Sequence, residues 1–336
     1  MAGRRNNWLV ILYNARKATR YRKGMATGKA LDGGSYAGNP HMRSDEGEVA
    51  SVATPRRGSL FCKRFEGKVV LVTGGARNTG LEIVDLFLKE GAEVFFCTRS
   101  PDSLKGGVTE LEKRGRTGFH AIRCDVGNRA DVDAMMDEIE RTAGRLDILV
   151  SNAANFGLGQ GTSFETTDEQ FESVLNINVL GGFRVVQTAC NRFFMKQPRN
   201  EYTNQRGVVV FIGSNSSERI SRNRISYVSS KGAMDSMVKS LAVDLGPHGI
   251  RVNMVAPGYI WTDRWQWLSD EVKAARRANV PTGMEATGRD VAEAVAFFAS
   301  DGARACQGAR LVMDGGAVAQ LYPASCEDDT SKMRER

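Results

Sequence analysis

The run Lys68-Val-Val-Leu-Val-Thr73 leads without a break into Thr73-Gly74-Gly75-Ala76-Arg77-Asn78-Thr79-Gly80, and a stretch carrying Leu81, Ile83, Val84, Leu86, Phe87 and Leu88 follows. A short apolar, β-branched run reads as a buried strand, and the stretch after it reads as an amphipathic helix. Strand, glycine-rich turn and helix, in that order, constrain the chain more than any other segment. This is the setting in which a turn cradles the pyrophosphate of a dinucleotide. Gly74 allows the tight turn, and Gly80 lets helix and strand approach closely. The free N–H groups at the helix start, around Asn78 and Thr79, face the anion. Asn78 stands where a glycine is more usual, and Asn tolerates left-handed backbone better than most residues.

The next strand is Glu93 to Thr98. A cofactor with a free ribose 2′-hydroxyl usually meets an Asp or Glu at that strand's end. Here the end reads Thr98-Arg99-Ser100, a cation with no acid, and Arg77 in the turn is a second cation. Two guanidinium groups suit a 2′-phosphate, so NADP(H) is favoured over NAD(H). Further strands are expected at His120 to Val126, with Asp125 near the adenine, then at Leu146–Val150, Val208–Ile212, Ile250–Val255 and Leu311–Met313. Helical stretches lie between them, one through Val132 to Ile139, a long one over roughly Thr167 to Lys196, and one over Ser226–Leu245. Strands alternating with helices imply α/β architecture: a Rossmann-like, doubly wound parallel sheet with helices on both faces, in a single domain. Ligands of such sheets bind outside the carboxyl ends of the strands.

Tyr227 and Lys231 are four residues apart, about one helical turn, so they share a helix face. Ser214 lies upstream, just past a strand end. A neighbouring cation favours the phenolate and makes a tyrosine a better proton donor and acceptor near neutrality. A serine hydroxyl beside it can hydrogen-bond a substrate carbonyl. Spacing alone does not carry this reading, because Tyr13 and Lys17 repeat it in a segment with no other sign of a site.

The ordered set of motifs from about Phe65 to Gly316 resembles the compact subgroup of short-chain dehydrogenases/reductases. Thr73 to Gly80 resembles that family's TGxxxGxG turn, and Asp125-Val126 its adenine-contact pair. Ser151-Asn152-Ala153-Ala154 resembles its NNAG strand end, with the first Asn and the last Gly replaced. Asn178, Ser214, Tyr227 and Lys231 match its catalytic tetrad. Pro257-Gly258-Tyr259-Ile260-Trp261-Thr262 resembles the segment that holds the nicotinamide carboxamide, and Asp314-Gly315-Gly316 its C-terminal turn. The resemblance implies that Tyr227 exchanges the proton and that Lys231 tunes it and bonds the nicotinamide ribose. Ser214 then polarises the substrate oxygen, and Asn178 holds a relay water. Enoyl reductases separate Tyr and Lys by six residues and epimerases need a Gly at Arg77, so the implied reaction is hydride transfer at a carbonyl or secondary alcohol. A 3-oxoacyl carrier-protein thioester is the specific candidate. The alternative is a dinucleotide sensor or scaffold without turnover, which has no need of all four tetrad members.

Charge is uneven along the 336 residues. Residues 1–64 hold 13 Lys/Arg against 4 Asp/Glu, which leaves the rest at −2 of an overall +7. The body therefore offers no basic groove, and nucleic acid is not an expected partner. The extension is expected to be a disordered basic arm without a catalytic role. An organelle presequence, or sequence ahead of a start at Met25 or Met42, remains open. Its apolar run Trp8–Tyr13 is too short to span a membrane. Residues 65–318 form the expected catalytic domain and 319–336 a polar tail. Six cysteines without CxxC spacing and three scattered histidines predict no metal site and fit a reducing cytoplasm. The resemblance implies that the stretch after Thr262 is a lid over the substrate, and Trp261, Trp265 and Trp267 predict an apolar wall there. Val174 to Met195 and Ser226–Leu245 carry more apolar residues, Val186 among them, than one buried stripe needs. A partner surface is therefore expected, and the resemblance implies a homo-oligomer, dimer or tetramer, that pairs these two helices.

Overall fold

The computed structural model describes residues 63–323; the expectations for the basic extension, for Cys62 and Cys326 and for residues 324–336 lie outside the described residues. Seven strands form one sheet: β1 (Val69–Thr73), β2 (Glu93–Thr98), β3 (Phe119–Arg123), β4 (Ile148–Ser151), β5 (Gly207–Ile212), β6 (Ile250–Pro257) and β7 (Arg310–Met313). Their order is β3-β2-β1-β4-β5-β6-β7, and every pairing is parallel. The order reverses between β1 and β4, which opens a crevice at the carboxyl ends of those two strands.

The period-two alternation of the strands divides the core into two layers. Val70, Val72, Val94, Phe96 and Val210 face one side, where α1 (Asn78–Lys89), α2 (Pro101–Lys113) and α8 (Gly288–Ala299) cover them. Val69, Leu71, Phe95, Phe211 and Met254 face the other, under α3 (Arg129–Ala143), α5 (Gly182–Ala189) and α6 (Ile225–Leu245). Because both faces are covered, β1 and β5 read as near-unbroken apolar runs and not as alternating ones. β6 is buried as well but carries Arg251 and Asn253, which are satisfied by the Phe298 and Cys306 carbonyls. Phe65 begins the packed body, buried against Phe87 with ring centroids 4.7 Å apart.

The long helix expected over Thr167–Lys196 is not uniform. A capping box between Thr167 and Gln170 starts α4 (Asp168–Leu175). The chain then widens into a π-helical segment, Asn176–Gly181, returns to α5, and widens again over Cys190–Phe194. A π segment rotates the following side chains relative to an α-helix. Val174, Val185, Val186, Phe193 and Phe194 are all buried inside the chain. Most of the apolar excess is thus explained by the sheet beneath, and Val186 is a core residue and not an interface one. Leu180, at 48 % exposure, Phe183 and Met195 remain on the surface. A shorter stretch, α7 (Asp270–Ala278), lies beyond β6 with no buried residue.

Gly207 opens β5 directly beneath Phe194, and a Cβ there would overlap the Phe194 ring. Phe194 is fully buried and has nowhere to retreat. Gly207→Ala is expected to destabilise the fold by about 1–3 kcal/mol, the usual cost of overpacking. A thermal or urea unfolding curve unchanged from wild type would contradict this packing.

Candidate active site

The turn after β1 is built by backbone requirements. Gly74 has φ +65° and Asn78 φ +49°, both in the left-handed region. A Cβ on Gly74 would come within 2.9 Å of Ala153 Cα, and one on Gly80 would collide with the Gly74 carbonyl. Arg77 is the N-cap of α1 and makes no capping bond from its side chain. The first turn of the helix, which includes Thr79, holds no acid. The amides at the start of α1 are therefore left for an external acceptor, and the turn fits a pyrophosphate. Asn152, at the end of β4, does not face outward from this turn. Its Nδ2 donates to the Thr73 and Gly74 carbonyls (3.0 and 2.9 Å), and Thr73 Oγ1 accepts from the Asn152 and Ala153 amides. Asn152 thus staples the two central strand ends together. A cavity of about 510 Å³ opens beside the turn, lined by Arg77, Asn78, Gly107, Trp261, Thr262 and Arg289 among others.

Past the end of β2, the Ser100 hydroxyl caps α2 by accepting from the Ser103 amide. Arg99 is exposed, and its Nη1 lies 3.7 Å from Asp125 Oδ2. Asp125 Oδ1 accepts from the Gly127 amide at 2.9 Å, which holds the carboxylate in place. Val126 is buried beneath it. The end of β2 itself carries no acid, and the nearest carboxylate to Arg99 comes from the segment after β3.

The tetrad residues converge from three elements. Ser214 lies two residues past Ile212 of β5; its hydroxyl donates to Ser216 Oγ (2.9 Å) and accepts from the Ser216 amide (3.1 Å). Tyr227 and Lys231 sit one turn apart on α6, and both are buried. Lys231 Nζ donates to the Ile212 carbonyl at 2.8 Å and lies 5.6 Å from the Tyr227 ring centroid. Burial pushes the Lys231 ammonium down to about 8, partly offset by the charge of Asp235 one turn further on. Asn178 lies in the first π segment. Its Oδ1 accepts from the Asn155 amide (2.7 Å), and its Nδ2 donates to the Asn155 carbonyl (2.9 Å) and to Ser230 Oγ (2.8 Å). Ser230 in turn donates to the Tyr227 carbonyl at 2.7 Å. Both Asn178 N–H groups are therefore spent on protein partners, and the side chain acts as a strut between the β4 loop and α6.

Several neighbours have no motif of their own. Phe156 stacks on the Tyr227 ring at 5.6 Å and 23°, and the Arg224 guanidinium sits 4.8 Å from the same ring. Arg224 also donates to the Phe156 carbonyl at 2.6 Å. Ser230, between Tyr227 and Lys231, is a buried polar residue in an apolar helix face, the one signal by which sequence could have found it.

After β6, Pro257 and Gly258 run beside the Asp314 turn, where the space at Gly258 leaves no room for a Cβ next to Asp314. Ile260 forms a β-bridge with Ala286, and Thr262 precedes a 3₁₀ turn over Asp263–Trp267, its carbonyl accepting from the Trp265 amide at 2.8 Å. The three tryptophans part company. Trp265 is buried against Trp261 (5.6 Å), Tyr259 and the cations of Arg276 and Arg277, so it anchors the segment. Trp261 is half-exposed, and Trp267 projects into solvent. The Asp263 amide donates to Asn78 Oδ1 at 3.3 Å, joining this segment to the phosphate turn. Among the described residues no group of His, Cys, Asp or Glu forms a metal cluster, and no helix is long and apolar enough to cross a membrane.

Known proteins align with this arrangement. A family model described as Enoyl-(Acyl carrier protein) reductase matches residues 74–318. L-fucose dehydrogenase of Bos taurus is 35% identical over 260 residues, 76% of this chain and 90% of the relative. The 3-oxoacyl-[acyl-carrier-protein] reductase MabA of Mycobacterium bovis is 33% identical over 253 residues, 75% of this chain and 93% of the relative. The crystal structure of gox2181 superposes with a TM-score of 0.69 at 30% identity, over 78% of this chain and all of that one. With a family model matched over residues 74–318 and named dehydrogenases and reductases at 33–35% identity over three quarters of its length, the chain belongs to the short-chain dehydrogenase/reductase family as an NAD(P)-dependent enzyme.

Proposed function

We propose that the protein interconverts a carbonyl compound and its secondary alcohol with NADP(H), using Ser214, Tyr227 and Lys231 for the proton and the substrate oxygen. The observation that carries this reading is the fixed distance between Lys231, Tyr227 and the Ser214 turn, set by the Lys231–Ile212 bond. Tyr227 gives its phenolic proton to the developing alkoxide or takes one from the alcohol. Lys231 supports the phenolate by charge and bonds the ribose. Ser214 donates to the substrate oxygen, which requires its hydroxyl to turn from Ser216. Asn178 keeps the Asn155 loop and α6 in register. The chemistry the cofactor supplies when bound is hydride donation to, or acceptance from, the substrate carbon.

For holding that cofactor, Gly74, Asn78, Thr79 and Gly80 offer the pyrophosphate seat. Arg77 and Arg99 take the 2′-phosphate, Asp125 and Val126 border the adenine, and Asn152 shapes the turn. Pro257, Gly258, Ile260 and Thr262 border the carboxamide. The substrate we favour is a 3-oxoacyl thioester, as in the name of the mycobacterial relative. The similarity to L-fucose dehydrogenases supports a sugar as second reading. Enoyl reduction is disfavoured, because three residues and not six separate Tyr227 from Lys231. Cys97, Cys124 and Cys190 are buried thiols outside any disulfide, which fits a reducing, cytoplasmic setting.

Three outcomes test this reading. NADPH oxidation with a panel of 3-oxoacyl thioesters and ketones, and reduction of NADP⁺ with L-fucose, should reveal turnover. Tyr227→Phe should lower it about 10²–10⁴-fold, the range for a lost general acid, with cofactor binding kept. Turnover that survives in Tyr227→Phe rejects the assignment. Arg99→Ala should weaken NADPH about tenfold or more while sparing NADH, as expected for a charge-assisted contact of about 1.5–3 kcal/mol; equal wild-type affinity for the two cofactors sinks the preference. Assembly is the third. Leu180, Phe183 and the exposed Val243 of α6 leave apolar surface on the two helices named for an interface. Val243→Asp should shift a homo-oligomer toward monomer by light scattering, and a wild-type protein that is already a fully active monomer overturns the proposal.

A further inference from the structure

Arg310 opens β7, the edge strand, opposite Met254 in the β6–β7 ladder. Paired residues project to the same face of a sheet, and Met254 packs with Met234 and Val238 of α6. Arg310 is therefore turned beneath α6, and its side chain is mostly buried. The guanidinium donates to the Ser214 carbonyl and to Ser217 Oγ, both at 3.1 Å, and bonds Glu218. Its Nε lies 3.3 Å from Asp235 Oδ1. Asp235 follows Lys231 by one helical turn.

The Nε–Oδ1 approach lacks the alignment of a hydrogen bond, and neither atom has a hydrogen-bond partner. Charge alone joins them. A buried ion pair of this kind adds little to stability, since desolvation offsets its attraction. What distinguishes the pair is its place: one member holds the serine turn, and the other stands one helical turn beyond Lys231 on the same face of α6.

We propose that Arg310 and Asp235 are a positioning pair for the reaction: Arg310 fixes the Ser214 carbonyl and thereby the direction of its hydroxyl, while Asp235 keeps negative charge beside the Lys231 ammonium. The inference rests on the roles given above to Ser214 and Lys231. Around Lys231, the groups concerned are the Ile212 carbonyl from β5, Tyr227 and Asp235 from α6, and, at one remove through Asp235, Arg310 from β7 with its partner Glu218.

Two measurements separate positioning from mere packing. The first follows the ¹⁵N-labelled Lys231 ammonium by NMR in the cofactor-free protein, wild type against Asp235→Asn. Asp235 raises the lysine pKa against the lowering by burial. Removing its charge therefore lets the ammonium lose its proton at lower pH, by about one pH unit, the lower end of the range for an adjacent opposite charge. The second compares kcat and KM in Arg310→Lys, which keeps the charge but cannot span the same acceptors. kcat should fall about tenfold, as for a slightly misplaced catalytic group, with cofactor affinity unchanged. An unshifted Lys231 titration in Asp235→Asn, or an Arg310→Lys kcat within about twofold of wild type, overturns the proposal. If Arg310→Lys does not fold, the Asp235→Asn titration decides alone. The titration needs no substrate, so it stands apart from failure of the functional reading, which Tyr227→Phe judges.

Discussion

An ammonium group buried in a protein interior is expensive, and the bond from Lys231 to the Ile212 carbonyl is what makes this one tolerable. Its geometric consequence is larger than its energy. Ile212 is the last residue of β5, and Ser214 follows two residues later. The lysine of α6 is thereby tied to the strand end that carries the serine, and Tyr227, one turn back on the same helix, cannot drift from either. A helix sliding along the sheet would break the bond and strand a charge. The same burial that costs free energy lowers the lysine toward about 8, so the group sits nearer its titration point than a surface lysine does.

The remaining contacts can be understood as securing the two partners of that bond. On the α6 side, Ser230 binds the Tyr227 carbonyl and is itself held by Asn178, which also clasps the Asn155 backbone. On the β5 side, Arg310 and the Asn215–Asp314 contact at 3.1 Å hold the turn after Ile212 from β7. The π segment at Asn176–Gly181 has a place in this scheme. By widening the helix it brings Asn178 inward, where both its N–H groups find protein acceptors.

Much of this was readable from residue order. The positions of β1 and β5 followed from apolar runs because both sheet faces are covered there, which removes the ambiguity of alternating patterns. The phosphate turn, the Tyr227–Lys231 face and the Ser214 strand end were legible because each is local. What escaped depends on distant partners. Nothing near Val186 distinguishes a helix face pressed on the sheet from one awaiting a second copy, and the structure puts that side chain in the core. Trp265 and Trp267 are two residues apart in one short turn, yet one is buried and the other free in solvent. Asn152 was legible only as part of a strand-end motif, because the carbonyls its Nδ2 bonds, those of Thr73 and Gly74, lie far earlier in the chain. Arg310 had no motif at all, since its meaning lies in what β7 brings it against.

Asn78 illustrates how one position can answer to two constraints. The turn requires left-handed backbone there, and glycine meets that need at the lowest steric cost. Glycine, however, has no acceptor to offer the Asp263 amide, which here bonds Asn78 Oδ1 at 3.3 Å. Asparagine pays a small conformational penalty at φ +49° and in return connects the turn at the start of α1 with the segment that continues to Trp265. Aspartate would also accept the bond, but it would add a negative charge at the uncapped start of α1, the end we assign to an anionic ligand. Among residues that tolerate this backbone, the neutral amide alone meets the turn, the contact and the electrostatics together.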